Sequence, residues 1–197
     1  MDKSKNLHGH LFALTANVMW GLMAPIGKSA LQEFSALSVT TFRMIGAAAA
    51  FWMLSIFCKQ EHVNHRDMLK IFFASLFALV FNQGIFIFGL SMTSPIDASI
   101  VTTTLPIVTM IVAAIYLKEP ITNKKVLGIF VGAMGALILI LSSQAASGGS
   151  RNLIGDLLCL VAQISFSIYL TVFKGLSQQY SAVTINKWMF VYASICY

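Results

Sequence analysis

Apolar stretches near twenty residues long, parted by short polar breaks, set the pattern of this chain. Six of them lie at about 10–31, 36–58, 68–90, 95–117, 124–143 and 153–174. A helix rising about 1.5 Å per residue needs roughly 20 residues to cross a hydrocarbon layer about 30 Å thick. Each stretch therefore predicts a membrane-spanning helix, and no soluble domain or long linker separates them. A seventh begins near Thr184 and runs about 14 residues, to Tyr197. That is too short to span, so the chain is expected to stop inside a helix and is read as a piece of a longer protein. Lys3 and Lys5 ahead of the first stretch raise the alternative of a secretory signal. The stretch is too long for one, holds Asn17, Pro25 and Lys28, and leads straight into another span, so it is kept as a helix.

Composition assigns the solvent. Of 197 residues, 57% are hydrophobic and 10% charged, whereas a soluble domain needs roughly 25% charged residues to cover its surface. The chain is thus an all-α integral membrane protein with the lipid bilayer as its partner. With the N-terminus in the cytoplasm, the cytoplasmic side holds Lys3, Lys5, Lys59, Arg66, Lys70, Lys118, Lys124, Lys125 and Lys174, and the other side only Lys28 and Arg151. That bias predicts a multi-pass protein of the inner (cytoplasmic) membrane with the N-terminus inside. It also accounts for the net charge of +6, and no nucleic-acid partner is needed. Cys58, Cys159 and Cys196 are odd in number and scattered through apolar segments, so no disulfide is predicted.

The chain also matches itself. Shifted by 146 residues, Gly9 to Ala48 falls on Gly155 to Ser194 with nine identities in 40 pairs, among them Lys28/Lys174 and Gln32/Gln178, while Asn17 meets Gln163. Hydrophobic helices match partly by composition, so the polar coincidences carry the weight. Five spans separate equivalent positions, and an odd number turns the second copy upside down. The organisation expected is a first repeat at 9–143 and the start of an inverted second one at 153–197. Inverted repeats recur in secondary transporters, with the substrate near the midplane between them, and two full copies would make ten helices and about 290 residues.

The residues from Gly89 to Ile140 resemble the EamA-type transporters of the drug/metabolite transporter superfamily. The match lies in a small-residue turn (Ser91 to Ala98), a helix with a central proline (Pro106), a Leu-x-Glu end (Leu117 to Glu119) and a glycine-bearing fifth helix (Gly128 to Gly135). WGLMAPIGK (Trp20 to Lys28) and TFRMIGAA (Thr41 to Ala48) extend the likeness along the whole chain. The resemblance implies a ten-helix bundle of two inverted halves that moves small metabolites by alternating access. It leaves the substrate open.

Candidate substrate-binding positions are the polar residues at midspan. Pro106 lacks an N–H, so the carbonyl of Thr102 loses its intrahelical donor in mid-membrane. Such a group must be satisfied by neighbours, hydroxyls or cavity water. Thr102 and Thr103 could lend their hydroxyls to a substrate path, or they and Thr104 could bond back to their own helix and merely soften it. In the first span Asn17, Gly21, Ala24 and Lys28 share one face, and in the sixth Gln163, Ser167, Thr171 and Lys174 repeat the theme. These faces could line the path, with Trp20 as a flat wall, or the amides could glue helices together and Trp20 could pack. Asn82 and Gln83 are neighbours about 100° apart on a helix, so one at most faces a cavity squarely. Asn82 is chosen, with Gly84 admitting another backbone.

Charges need separate judgement. Arg43 lies well inside the second span, matches an arginine of the family pattern, and could attract an anionic substrate or pair with a carbonyl. Lys28 and Lys174 lie near helix ends, where snorkelling competes with a gating or structural role. Glu119 is expected in a cytoplasmic charge network, and its match to the family's glutamate implies a structural or gating role. Asp97 and Asp156 open helices, where negative charge is favourable. No central carboxylate or metal cluster appears, so enzyme chemistry, cofactors and metals are not predicted; His62 and His65 lack a third ligand. Gly128, Gly132 and Gly135 form a small-residue face that could serve a homodimer, though packing within the bundle is the default. The reading is a secondary transporter of small metabolites or drugs. A structural or regulatory membrane protein is the alternative.

Overall fold

The computed structural model describes residues 3–118 and 153–197, with residues 126–128, 130–132, 134, 135 and 138 between them. The fifth predicted span therefore lies mostly outside the described residues. The rest is helical: α1 (Lys3–Glu33), α2 (Ala36–Ile56), α3 (His65–Met92), α4 (Pro95–Tyr116), α5 (Leu153–Val172), α6 (Lys174–Gln179) and α7 (Ala182–Cys196). Helices α2 to α5 are long and apolar enough to cross a membrane. Large apolar side chains point outward, Phe12 and Ile115 being 73% and 75% exposed, which is what lipid as the surrounding medium requires.

Short polar side chains start the helices. Ser35 caps α2, Asn64 caps α3 and Ser181 caps α7, each side chain accepting from a backbone N–H of the first turn. At α4, Ser94 accepts from the Asp97 N–H and donates back to its carboxylate at 2.7 Å, with Pro95 filling the first helical position. Asp97 thus serves its helix terminus.

Helix α5 runs against α3 and α4, α7 packs on α2 and α3, and α1 leans on α2, α3 and the first part of α4. Among the described residues two apolar cores result. One joins Met44, Ile71, Ala78, Leu79, Ile185 and Met189. The other joins Val39, Phe86, Ile87, Leu90, Ala98, Cys159 and Ala162. Where α3 crosses α5, Gly89 meets Gly155 so closely that a Cβ on either would lie 2.8 Å from the other's carbonyl oxygen.

The two ends of the bundle differ in their chemistry. At one, Lys28 Nζ donates to the carbonyls of Leu90 at 2.8 Å, Ser91 at 3.1 Å and Thr93 at 2.7 Å. The Thr93 hydroxyl donates to Asp156 at 2.6 Å. Lys28 therefore does not snorkel; its ammonium closes the carbonyl-rich end of α3, where a cation is favoured. Lys174 is exposed. Because the end of α1 and the start of α5 both meet the end of α3, α1 and α5 run in opposite directions. Substitution Lys28→Met strands three carbonyls and is expected to cost about 1–3 kcal/mol, seen as a lower thermal midpoint of the purified chain. A midpoint equal to wild type would mean that those carbonyls are satisfied without it.

The opposite end gathers Glu61, Asp67, Lys70, Gln179, Tyr180 and Ser181. Asp67 receives Lys70 at 2.7 Å and the Tyr180 hydroxyl at 2.9 Å, which raises the Tyr180 phenol above its ordinary range. Glu61 accepts from Thr184 and from the N–H and hydroxyl of Ser181, which holds its carboxyl below the usual range. Its stabilising effect on the α7 terminus is present above the ordinary carboxylate pKa and is lost as pH falls through the lowered one.

Candidate functional site

Regular helix fails in two neighbouring places. In α3 the residues Leu76–Gly84 wind as a π-helix, a form that is rare and tends to mark functional positions. In α4 the helix is interrupted between Thr102 and Leu105, where Thr103 and Thr104 form a turn closed by i−3 bonds. The cause is Pro106, which cannot donate to Thr102. In lipid such irregular backbone is tolerated where it is covered by protein or lines a cavity.

A cavity of about 530 Å³ lies at these two breaks, within the range usual for small-molecule sites. Helix α1 supplies Asn17, Trp20, Gly21, Met23 and Ala24; α3 supplies Asn82, Gln83 and Phe86; α4 supplies Ser99, Thr102, Thr103, Leu105 and Pro106; α5 supplies Gln163. No formally charged side chain is among them. Eight of the ten substrate-binding positions proposed from sequence thus stand on one wall.

The threonines bond back to their own helix, and two of them also line the cavity. Thr102, Thr103 and Thr104 each donate to the carbonyl three residues earlier at 2.6 Å, yet Thr102 and Thr103 also face the cavity. Their protons, like that of Ser99 on the Pro95 carbonyl, are committed to backbone, so these hydroxyls offer the cavity lone pairs. Asn17 likewise gives its Nδ2 to the Ala13 carbonyl at 2.8 Å. Trp20 stacks edge-on against Phe166 at 5.9 Å between centroids, serving as packing and as wall together.

Some expectations need correction. Asn82 and Gln83 both line the cavity. The 100° argument assumed an α-helix, and i→i+5 winding brings successive side chains closer in angle. Gln83 is the residue that assumption hid. Asn82 donates to the Ala162 carbonyl at 2.8 Å, Gln83 donates to Asn82 at 3.0 Å, and Arg43 donates to Gln83 at 2.9 Å. Arg43 accordingly stands behind the wall. Ser167 also lies off it: fully buried, it exchanges a hydrogen bond with Thr109 of α4 at 3.0 Å. Gly84 makes room for the ring of Tyr197, whose hydroxyl donates to the Val80 carbonyl, and not for a backbone. Ser99, one helical turn before Thr102, was legible from that spacing. Met23, Phe86 and Leu105 carried no polar signal. Glu119 lies outside the described residues. Among the glycines of the fifth predicted span, Gly132 faces Ile107 of α4, while Gly128 and Gly135 face open space.

Comparison with known proteins gives this cavity a context. Residues 7–141 match the EamA-like transporter family. The chain belongs to that family. An uncharacterized transporter of Archaeoglobus fulgidus is 28% identical over 94% of this chain and 64% of its own length. The uncharacterized transporter YyaM of Bacillus subtilis is 27% identical over 84% of this chain and 55% of its own length. A thiamine-repressible mitochondrial transport protein of Saccharomyces cerevisiae is 30% identical over 44% of this chain and 24% of its own length. This EamA-like chain thus spans about three-fifths of the length of the relatives it matches over most of its own. No solved structure matches it.

Proposed function

We propose that this EamA-like protein is a secondary transporter that moves a small, largely uncharged or zwitterionic metabolite by alternating access, with the cargo held in the cavity between α1, α3, α4 and α5. The observation that carries the reading is the coincidence of two broken helices with one open-sided cavity whose described lining holds polar side chains but no formal charge. Broken helices beside the binding place are a recurrent feature of secondary transporters. The opposite directions of α1 and α5 support the inverted-repeat reading. Trp20 and Phe86 favour an apolar or aromatic body, and the lone pairs of Ser99, Thr102 and Thr103 favour donor groups on it. In this reading the N-terminus lies in the cytoplasm, because the end that carries Lys59, Arg66, Lys70 and Lys174 is the basic one.

Gln163 tests the proposal. Its side chain is 4% exposed and lines the cavity, and no protein hydrogen bond of the described residues depends on it. Substitution Gln163→Leu is expected to leave thermal stability within about 1 kcal/mol while lowering flux of a labelled metabolite panel in sealed vesicles about three- to tenfold. Unchanged flux for every metabolite transported by wild type would remove the cavity from the path.

A further inference from the structure

Arg43 sits in the first half of α2, where an ionisable side chain within a span marks a functional position. A guanidinium carries five N–H donors and keeps its charge. Its Nη2 is engaged, donating to Gln83 Oε1 at 2.9 Å and lying 3.4 Å from Met23 Sδ. Its Nη1 is buried and has no hydrogen-bond partner. No carboxylate of the described residues pairs with it; the ion pair they contain is Lys70–Asp67, at the basic end of the bundle. A buried cation without counter-charge is costly, and low dielectric magnifies its pull on any anion within reach.

A second cavity, about 250 Å³, adjoins this group and is lined by Arg43, Met44, Ala47, Leu79, Gln83 and Phe190. Among the described residues, Arg43 and Gln83 are the polar side chains on its wall. Gln83 Nε2 gives one hydrogen to Asn82 and keeps the other, while its oxygen is already taken by Arg43. What remains for a guest is a set of donors, a positive charge and apolar surface. Water would fill the space but leave the charge uncompensated, whereas an anion answers both the donors and the charge.

We propose that this cavity between α2, α3 and α7 binds a small monovalent anion, held by Arg43 with Gln83 as the second donor. Gln83 lines both cavities, so the anion fixes the orientation of an amide on the wall of the larger one. The site stands whether or not the larger cavity carries cargo.

The test is thermal unfolding of the purified chain in detergent, followed by tryptophan fluorescence, as chloride or bromide replaces gluconate at constant ionic strength. A saturable rise in midpoint of about 2–5 °C is expected. It should vanish in Arg43→Gln, weaken in Arg43→Lys, and persist in Lys70→Gln. An acetate series separates a site that accepts carboxylates from one that takes halides alone; a response to either supports the proposal. No response to any of them, a non-saturating one, or one retained in Arg43→Gln overturns it. Should Arg43→Gln fail to fold, chlorine-35 line broadening by the wild-type chain, reversed by bromide, supports the site, and its absence overturns it.

Discussion

Placing valine at Gly155 is expected to prevent the bundle from folding, the largest effect on stability that the packing foretells. A Cβ at Gly155 would stand 2.8 Å from the Gly89 carbonyl oxygen, 3.0 Å from Thr93 Cβ and 3.1 Å from Met92 Cβ. These neighbours are backbone or the stiff base of a side chain, so no rotamer change relieves the clash. Helices α3 and α5 would have to part, opening the core around Ile87, Leu90, Cys159 and Ala162. Overpacking usually costs about 1–3 kcal/mol, and rigid opposition puts this case at or above the upper figure. Even Gly155→Ala should sharply lower the yield of monodisperse protein in detergent. Gly9→Ala, at the position paired with Gly155 in the internal match, has nothing within 4 Å and should behave as wild type. Equal yields from the two alanine variants would show that α3 and α5 do not cross at these glycines.

The second large effect is on transport, and it has the opposite sign for stability. Substitution Pro106→Ala restores an N–H that can bond the Thr102 carbonyl, removing the reason for the turn at Thr103 and Thr104. A regular α4 regains hydrogen bonding, and a helix freed of an interior proline gains up to about 3 kcal/mol. The same change moves Thr102, Thr103 and Leu105 relative to α1 and α3 and reshapes the cavity. Under the proposed transport function, the expected result is a chain that melts higher yet moves its cargo at a rate lower by about tenfold or more. Gly21→Leu, whose Cβ would have nothing within 4 Å, fills the cavity from α1 and leaves the break in α4 as it is; it should lower flux with little change in melting. A Pro106→Ala variant that transports normally would place the break outside the transport cycle.

Much of the architecture was legible because a bilayer leaves few choices. A stretch of roughly 20 apolar residues must be helical to satisfy its backbone, and the structure adds the caps that start these helices, Ser35, Asn64, Ser94 and Ser181. The interruption of α4 was legible for the same reason, since the missing N–H of Pro106 is a local fact. Asn17, Gly21, Gln163 and the threonines could be chosen because polar atoms at midspan are costly unless they meet partners or a cavity. Which of the two they meet is not a local matter. Ser167 spends its hydroxyl on Thr109, and Arg43 stands one residue back, behind Gln83.

By itself, the sequence determined the medium, the number and order of apolar segments and the break at Pro106, because each depends on neighbours within a turn or two of helix. Only the tertiary structure decided that α3 winds as a π-helix through Asn82 and Gln83, that Lys28 closes the end of α3, that Gly89 and Gly155 interlock, and that Arg43 keeps a buried, unpartnered nitrogen. Those outcomes depend on which helix faces which and at what distance. Helical periodicity assigns a residue to a face but leaves open what the face will touch.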